Sequence, residues 1–363
     1  MSSQITENSP VNDASGKPLV TFALFAYNQE KYIRDAVNAA FAQTYEPLEI
    51  ILSDDCSSDR TFEILREMAN AYHGSKTVIV RQTEKNSGTL IHLVNVAKIA
   101  RGELIVLAAG DDISLNNRTE KLVEIWKSSQ AWGLFSRFDR ISDSGLVISR
   151  SDEVKILTSP RYRLRQYFLT RQDEIKIIHG ATSAYDRRIF YFLDTTPNDY
   201  ILSEDGTLSV LLNLLNKEIR MLDDSLVLYR ESEQSLTNGK RSRTVTFETT
   251  RSDEIAIARF TRSQANRCDL FLRMNEKFGK QSNVRLDISA IQADREKQTI
   301  CSRWHSLTIK GKLVYLFRIR NVEELKWCIP RMLPEPIFIC VKTLLKSLVY
   351  KLERMCVRIN RPR

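Results

Sequence analysis

The sequence lacks the cysteine and histidine patterns that build structural metal sites and disulfide frameworks. Its six cysteines include no Cys-x-x-Cys pair, and only four histidines occur in 363 residues. Zinc modules need closely spaced ligands of these two kinds, and disulfide frameworks need cysteines at a much higher density. We therefore expect no structural zinc and a reducing compartment.

Long apolar runs are also missing. Residues 1–17 are polar and lack the basic-then-apolar order of a secretory signal, and the apolar stretch that follows Pro336 is interrupted by Lys342 and Lys346. A helix that spans a membrane needs about 20 consecutive, largely apolar residues. These features predict a flexible leader over residues 1–17 and a cytoplasmic location.

Positive charge is present in excess, but it is not evenly spread. The formal net charge is +9, and residues 301–363 contain fourteen lysines and arginines against four acids. On a helical wheel, residues 338–359 place their apolar side chains on one arc and their lysines and arginines on the rest. This pattern predicts a cationic amphipathic helix, which either binds the anionic inner face of the cell membrane or packs on the rest of the protein. A nucleic-acid partner is not expected, because no binding motif accompanies the charge.

Residues 18–128 alternate apolar runs with helical patterns four times. The runs at 19–25, 49–53, 77–81 and 103–108 are predicted strands, and amphipathic helices separate them. This alternation predicts an α/β fold in which helices cover both faces of a mostly parallel central sheet. Ligands of such folds bind beyond the carboxyl ends of the strands.

A different pattern follows over residues 129–237. It predicts a hairpin around residues 142–145, a strand near 175–178 and a helix over 208–215, followed by a strand over 227–230. The polar, basic residues 238–243 then indicate a linker. We therefore predict one domain over 18–237, with halves at 18–128 and 129–237, and a helical, basic C-terminal region over 238–363.

Three pairs of acids stand at predicted loops and helix starts: Asp54 and Asp55, Asp111 and Asp112, and Glu204 and Asp205. Two carboxylates at a loop tip offer the hard oxygen ligands that Mg²⁺ or Mn²⁺ prefers. Such pairs also form turns and helix caps, so any one of them alone favours the structural interpretation.

Taken together, the motifs resemble glycosyltransferase family 2 over residues 18–237. The matching segments are VTFALFAYN with EKYI in residues 20–33, EIILSDDCSSDRT in 49–61, NSG in 86–88 and GELIVLAAGDD in 102–112. The resemblance implies a GT-A fold, Rossmann-like, and the inverting, Mg²⁺- or Mn²⁺-dependent transfer of a hexosyl or related group. The donor would be a nucleotide-diphosphate sugar and the acceptor a glycan or a lipid-linked glycan, in cell-surface polysaccharide or glycolipid assembly.

The resemblance also implies roles for single residues. Asp205 matches the catalytic base, with Glu204 as the alternative, and Asp111 and Asp112 match the metal ligands. His179 and Thr182 match an acceptor-side segment. The residues that match the nucleotide-binding part, in which Asp55 would hold the base, are Ala26, Tyr27, Asn28, Asp54, Asp55, Asn86, Gly110, Arg230 and Ser235.

Two positions depart from the family pattern. Ala109 stands where many relatives have the first aspartate of the metal loop, and Ser232 stands where a histidine is frequent. These departures favour an alternative, in which the protein keeps the fold as a nucleotide-binding or scaffold protein without catalysis. A nucleotidyltransferase is disfavoured because residues 26–30 do not form a glycine-rich, basic loop.

Overall fold

The computed structural model describes residues 16–150, 160–170, 175–196, 198–231, 246–316, 328–333 and 335–344. The chain divides into two compact units, one made of residues 1–235 and 266–293 and the other of residues 236–265 and 294–363. The sequence-based division assigned residues 266–293 to the C-terminal region, whereas the structure groups them with the first unit. Residues 1–15 of the predicted leader lie outside the described residues.

The first half of unit 1 alternates strands and helices as predicted. Its elements are β1 (Val20–Ala26), α1 (Ile33–Phe41), β2 (Leu48–Asp54), α2 (Thr61–Asn70), β3 (Thr77–Gln82), α3 (Thr89–Ile99) and β4 (Leu104–Ala109). β1 pairs in parallel with both β2 and β4, and β2 pairs in parallel with β3. The almost complete burial of β1, β2 and β4 explains why these strands are continuous apolar runs rather than alternating ones.

The second half extends the same sheet with antiparallel pairs. It comprises β5 (Ile113–Ser114), α4 (Arg118–Ser129), β6 (Gly133–Ile141), β7 (Val147–Ser149), β8 (Ser183–Asp186), α5 (Glu204–Leu214) and β9 (Ile219–Arg230). The strand order is β3-β2-β1-β4-β8-β6-β9-β5, with β7 paired to β6. β8 is antiparallel to β4 and β6, while β6 and β9 are parallel. The mixed sheet and the β6–β7 hairpin agree with the expected architecture.

The strand predicted near residues 175–178 is wrong. These residues have no regular structure, and the strand in this region is β8, which begins at Ser183. Ile175 and Ile178 are buried in the core that α5 helps to form, and the Ile178 N–H donates to Ser209 Oγ at 2.9 Å. The apolar pattern here reflects packing on a helix and not pairing in the sheet.

Two hydrophobic cores lie on the two faces of the sheet. Alternate residues of β1, such as Phe22 and Ala23, belong to different cores because successive side chains of a strand point to opposite faces. Helices α1, α2 and α4 contribute to one core, and α3 and α5 contribute to the other. The prediction of a sheet covered on both faces is therefore confirmed.

Unit 2 is helical over its described residues, as predicted for the C-terminal extension. It takes the first part of α6 (Phe247–Phe278), most of α7 (Ile288–Ser302), α8 (Ile309–Leu316) and the helical residues 335–344. Unit 2 has a separate small hydrophobic core that contains Trp304, Tyr315 and Cys328. No helix in the described ranges combines the length and the apolar character that crossing a membrane requires.

Candidate active site

The carboxyl ends of β1, β2 and β4 bring three predicted segments to one edge of the sheet. The Asp55 N–H donates to the Ala26 carbonyl at 2.9 Å, and the Gly110 N–H donates to the Phe25 carbonyl at 2.9 Å. Residues 26–28, the Asp54–Asp55 pair and the loop at residues 110–112 therefore adjoin one another, as the parallel alternation predicted.

The loops after β1 and β2 are tied together by Asn28. Its backbone has a φ of 53°, a left-handed conformation that asparagine tolerates better than most residues. The Asn28 N–H donates to Ser57 Oγ at 2.8 Å, and Asn28 Oδ1 accepts from the Ser58 N–H at 2.8 Å. The neighbouring Tyr27 is 44% exposed, so its ring is accessible at the rim.

Asp54 and Asp55 are both buried, and their carboxylates accept hydrogen bonds from neighbouring segments. Asp54 accepts hydrogen bonds from Ser57 and from Gln82 Nε2. Asp55 accepts from Thr83 Oγ1 at 2.9 Å, and its other donors are the N–H and Oγ of Ser87 and the N–H of Gly88. A carboxylate has about four positions at which it can accept a hydrogen bond, and these protein groups already fill those of Asp55. In this structure Asp55 fixes the β3–α3 loop, and its predicted contact with a base stays a prediction.

The β3–α3 loop also carries Asn86. The Asn86 Oδ1 atom is buried and has no hydrogen-bond partner among the residues that the structure describes. Buried polar atoms in proteins are nearly always paired, so an unpaired one points to a missing ligand or water. The predicted contact of this amide with a nucleotide stays a prediction.

The acidic loop after β4 has a glycine before its two aspartates. A Cβ atom added to Gly110 would lie 2.5 Å from Gln29 Oε1 and 2.8 Å from Ile33 Cδ1. The chain therefore passes close to α1, and this path presents Asp111 and Asp112 beyond the end of β4. A larger residue at this position would displace the side chains of Gln29 and Ile33.

Asp112 is the more deeply buried carboxylate of the pair. Its Oδ1 accepts from the Arg230 N–H at 2.9 Å, and its Oδ2 is buried without a hydrogen-bond partner in the described part of the chain. Burial raises the pKa of Asp112 well above its ordinary value, and the charge of Asp111 raises it further. Burial also raises the pKa of Asp111. The charge of Arg230 lowers both pKa values and that of Arg118 lowers the pKa of Asp112, and a bound cation would add positive charge beside the two acids.

The donor set fits Mg²⁺ or Mn²⁺. Both cations prefer carboxylate oxygen, and Mg²⁺ sites commonly combine one or two carboxylates with waters and substrate phosphates. Within the described ranges, no group of three or more histidine, cysteine or acidic residues could hold a metal by itself. The unpaired Oδ2 of Asp112 is an oxygen of the kind that such a site uses.

Arg230, the last residue of β9, is almost fully buried beside this loop. Its Nε donates to the Asp111 carbonyl at 2.9 Å, and its two Nη atoms donate to the Asp143 carbonyl at 2.9 Å and to the Asp35 carboxylate at 3.0 Å. The guanidinium also lies 4.9 Å from the centre of the Tyr32 ring. Arg230 thus positions the acidic loop, and its predicted contact with phosphate stays a prediction.

The hairpin turn between β6 and β7, which Arg230 contacts, is also bonded to the residues that precede α1. The Asp143 carboxylate accepts hydrogen bonds from Lys31 and from the Tyr32 hydroxyl, and both side-chain contacts lower the pKa of Asp143. Sequence reasoning missed Asp35 and Asp143, because nothing local distinguishes them from surface acids. Ser232 and Ser235, which the sequence singled out beyond β9, lie outside the described residues.

Asp205 stands in the first turn of α5, where three donors orient its carboxylate. Oδ1 accepts from Ser203 Oγ at 3.0 Å and from the Gly206 N–H at 2.6 Å, and Oδ2 accepts from the Gly180 N–H at 3.3 Å. A Cβ atom added to Gly180 would lie 2.7 Å from Glu204 Oε1 and 3.3 Å from the Cβ of Asp205. The turn at Gly180 therefore packs directly against both candidate bases.

A series of direct contacts links Asp205 to Asp112. The ring of His179, which precedes Gly180, lies 6.0 Å from the ring of Tyr229, which precedes Arg230. Arg230 in turn donates its N–H to Asp112. Thr182 is buried, and its hydroxyl donates to the His179 carbonyl at 3.2 Å, so it stabilises the turn of which it is part.

A second series links Asp205 to Asp55. Gly88, whose N–H donates to Asp55, lies beside Ile201, because a Cβ atom added to Gly88 would be 3.1 Å from the Ile201 carbonyl. The same carbonyl accepts from the Leu90 N–H at 3.1 Å. Residue 201 stands three residues before α5, so the three acidic pairs border one region of the protein, although they lie far apart in the sequence.

Ser53 and His92 form a buried pair below this region. Ser53 Oγ lies 2.6 Å from His92 Nε2, and Arg81 Nη1 donates to Ser53 Oγ at 3.0 Å. Burial lowers the pKa of His92 to about 4, so the imidazole is neutral at physiological pH. Because both side chains are buried, the pair acts in positioning the end of β2 and not as a nucleophile and base.

Comparisons with known proteins agree on the family. Residues 21–193 match the family described as Glycosyl transferase family 2. An uncharacterized protein of Mycobacterium tuberculosis is 43% identical over 88 residues, which are 24% of this chain and 25% of that protein. The putative teichuronic acid biosynthesis glycosyltransferase TuaG of Bacillus subtilis is 26% identical over 134 residues, 37% of this chain and 52% of TuaG. The chain therefore spans about a quarter to a half of the length of these relatives.

One solved structure supports the fold. The crystal structure of GalNAc-T7 with UDP, GalNAc and Mn²⁺ shares 17% sequence identity, with a TM-score of 0.50 over 71% of this chain and 47% of that protein. At this identity the likeness concerns the fold alone. Together with the mixed sheet and its two helical layers, it confirms the predicted GT-A fold.

Proposed function

Because residues 21–193 of this chain form a glycosyl transferase family 2 domain, we propose that the protein transfers a sugar from a nucleotide-diphosphate donor to a hydroxyl acceptor. The family expected from the sequence motifs is thereby confirmed. The observation that carries the proposed activity is the series of contacts that links the three acidic pairs, together with an Asp112 oxygen that is unpaired in the described residues.

The donor would lie along the rim formed by the ends of β1, β2 and β4. The exposed ring of Tyr27 offers a surface on which a base can stack, and Asn86 offers an unpaired amide oxygen. Asp111 and Asp112 would hold Mg²⁺ or Mn²⁺, which supplies positive charge against the departing diphosphate. Gly110, which precedes the two carboxylates, lies close to α1.

Asp205 would accept the proton of the attacking hydroxyl. Its carboxylate is held by Ser203, Gly206 and Gly180, so its oxygens have a defined direction before any ligand binds. A base fixed in this way loses little freedom in the transition state. Attack from the side opposite to the diphosphate would invert the anomeric configuration, and Glu204 is the alternative base. His179 and Thr182 flank Gly180, so the acceptor would approach on this side.

The acceptor would be a glycan or a lipid-linked glycan in cell-surface polysaccharide or glycolipid assembly, on the cytoplasmic side of the membrane. The likeness to a putative teichuronic acid biosynthesis glycosyltransferase supports this class of product.

A screen of nucleotide-diphosphate sugars with Mg²⁺ or Mn²⁺ tests the proposal. A donor present at about 100 times its dissociation constant stabilises a protein by about 2.7 kcal/mol, which a thermal shift detects. The stabilising donor should then release its nucleoside diphosphate when acceptor glycans are added, and NMR of the product should show an inverted anomeric centre. Retention of configuration, or the absence of stabilisation by every donor, would contradict the proposal.

The same screen addresses the alternative, a nucleotide-binding or scaffold protein without catalysis. Ala109, which replaces an aspartate that is frequent in the family, is the observation that favours it. Metal-dependent binding of a donor without release of nucleoside diphosphate, over a broad set of acceptors, would support this second function.

A further inference from the structure

The helical residues 335–344 of unit 2 have two apolar faces. Phe338 and Ile339 are buried, at 3% and 0% exposure. Ile337, Val341 and Leu344 are 52%, 41% and 66% exposed. The latter three are spaced at i, i+4 and i+7, so they form one stripe along the helix. A helix whose outer face meets only water is normally polar on that face.

Helix α8 of the same unit repeats this arrangement. Its residues Ile309, Leu313 and Val314 are 70%, 43% and 47% exposed, whereas Tyr315 is buried. The exposed Lys310 stands among them on the same side of the helix. Two helices of one small unit therefore expose branched aliphatic side chains, and a cation accompanies the second set.

The charge of the two units differs in sign. Unit 2 contains 22 lysines and arginines against nine acids, a net charge of +13, whereas unit 1 has a net charge of −4. Inside unit 2, the buried carboxylate of Glu254 pairs with Arg331 and Lys342. One acid compensates these two cations, so the net positive charge of the unit remains large.

We propose that the exposed aliphatic residues of helices α8 and 335–344 form a surface that binds an anionic lipid bilayer. The aliphatic side chains would enter the boundary between headgroups and acyl chains, while Lys310 and other lysines and arginines of unit 2 contact anionic headgroups. This property is separate from the proposed sugar transfer and does not require it.

Charge and side-chain type favour a bilayer over other partners. A second copy of the chain would bring two units of +13 together, and like charges oppose such contact. Binding of single-stranded nucleic acid uses aromatic rings on which bases stack, whereas the exposed stripe consists of isoleucine, valine and leucine. Exposed aliphatic residues beside excess positive charge are the combination that anionic bilayers attract.

Vesicle flotation with the full-length protein tests this proposal. Vesicles of equal parts phosphatidylglycerol and phosphatidylcholine should float the protein at low salt, and vesicles of phosphatidylcholine alone should float much less of it. Binding should weaken as NaCl is raised, because salt screens the attraction. Equal flotation with both vesicle types, or no flotation with the anionic vesicles, would overturn the proposal without any variant.

A triple variant then tests the stripe. Replacing Ile337→Ala, Val341→Ala and Leu344→Ala keeps good helix formers and should lower the affinity for anionic vesicles by about tenfold or more. The matched control is Leu146→Ala, Val147→Ala and Ile148→Ala in unit 1, which are similarly exposed at 72%, 56% and 53% and should bind as the unmodified protein does.

Three results would contradict the assignment of the stripe. The first is unchanged affinity of the stripe variant, with circular dichroism that matches the parent. The second is an equal loss in the control variant. The third is self-association of the parent in sedimentation, abolished in the stripe variant without any vesicle binding, which would identify a second copy as the partner. Donor binding and transfer are measured separately, so loss of the proposed enzyme activity would leave this result intact.

Discussion

The backbone N–H of Arg230 donates a 2.9 Å hydrogen bond to one carboxylate oxygen of Asp112, and the other oxygen of that carboxylate is buried without a partner in the described residues. The arrangement orients Asp112, because one oxygen is fixed by the protein and the second remains for a ligand. A buried acceptor left in this state costs about 1 to 3 kcal/mol, which a bound cation would offset. The unpaired oxygen of Asp112 therefore lowers the stability of the protein while it leaves a position for a ligand.

Replacing Asp112→Asn should reduce metal-dependent transfer by about 100-fold or more, because the amide lacks the charge that holds the cation. The thermal shift that Mg²⁺ or Mn²⁺ produces with a donor should shrink as well. The matched control is Asp223→Asn, whose side chain is 89% exposed, and it should leave both measurements unchanged. Full transfer by the Asp112→Asn protein would exclude Asp112 as a metal ligand.

Replacing Arg230→Lys should lower the free energy of unfolding by about 2 to 4 kcal/mol, because one ammonium cannot serve two carbonyls and a carboxylate in three directions. Chemical denaturation measures this loss. If Arg230 positions the acidic loop, the metal concentration for half-maximal activity should rise more than the KM for the acceptor. Arg34→Lys, an exposed arginine of α1, is the control. Equal changes in both kinetic constants would indicate a general structural role.

Replacing Asp205→Asn should lower the transfer rate by about 100- to 10,000-fold at unchanged donor affinity, because the amide cannot accept the proton. Glu204→Gln is the comparison that decides between the two candidate bases. Single-turnover transfer measures the chemical step, and calorimetry measures donor binding. An active Asp205→Asn protein together with an inactive Glu204→Gln protein would move the role to Glu204.

Replacing Gly180→Ala should slow transfer more than it lowers stability. The new methyl group would meet Glu204 Oε1 at 2.7 Å and the side chain of Asp205 at 3.3 Å, so both candidate bases must shift. A misplaced catalytic group can cost about 100-fold in rate. Gly311→Ala is the control, because its added carbon would have only an ordinary contact at 3.4 Å and should be neutral or stabilising. Equal transfer rates in the two variants would contradict the close packing at Gly180.

As the pH drops from 7 to 4.5, His92 should contribute a loss of stability, whereas Asp111 and Asp112, whose pKa values are raised by burial, contribute with the opposite sign. Burial holds the folded-state pKa of His92 at about 4, below its ordinary value of 6.5, so within this window the unfolded chain binds a proton that the folded protein excludes. The contribution is about 2 to 3 kcal/mol. In urea denaturation, His92→Gln should flatten the pH dependence, whereas His73→Gln, an exposed histidine, should not. Parallel pH profiles of the parent and the His92→Gln protein would contradict this assignment.

Much of the first half of the fold followed from local sequence pattern. The four strands and the helices between them have clear periodicities, and the rim that joins residues 26–28, 54–55 and 110–112 follows from parallel pairing alone. The strand near 175–178 failed because a buried apolar run can pack on a helix as readily as pair in a sheet. β9 begins at Ile219, eight residues before the predicted strand, because its first part alternates exposed and buried residues less regularly.

Within the candidate site, the sequence singled out three pairs of acids but could not predict what surrounds them. The donors that occupy Asp55 come from a loop about 30 residues away, and the groups that hold Arg230 come from α1 and a hairpin turn. Such long-range contacts leave no local pattern. This is why positioning roles for Arg230, Asp35 and Asp143 appeared only with the structure.

The meeting of Asp35, Asp111 and Asp143 at the guanidinium of Arg230 has an evolutionary consequence. Three segments, at residues 35, 111 and 143, depend on the single planar donor at position 230, so a substitution at one position changes what the others can tolerate. These positions should covary across homologues as a set, and lineages that drift away from an arginine at position 230 should change the hairpin turn in the same step.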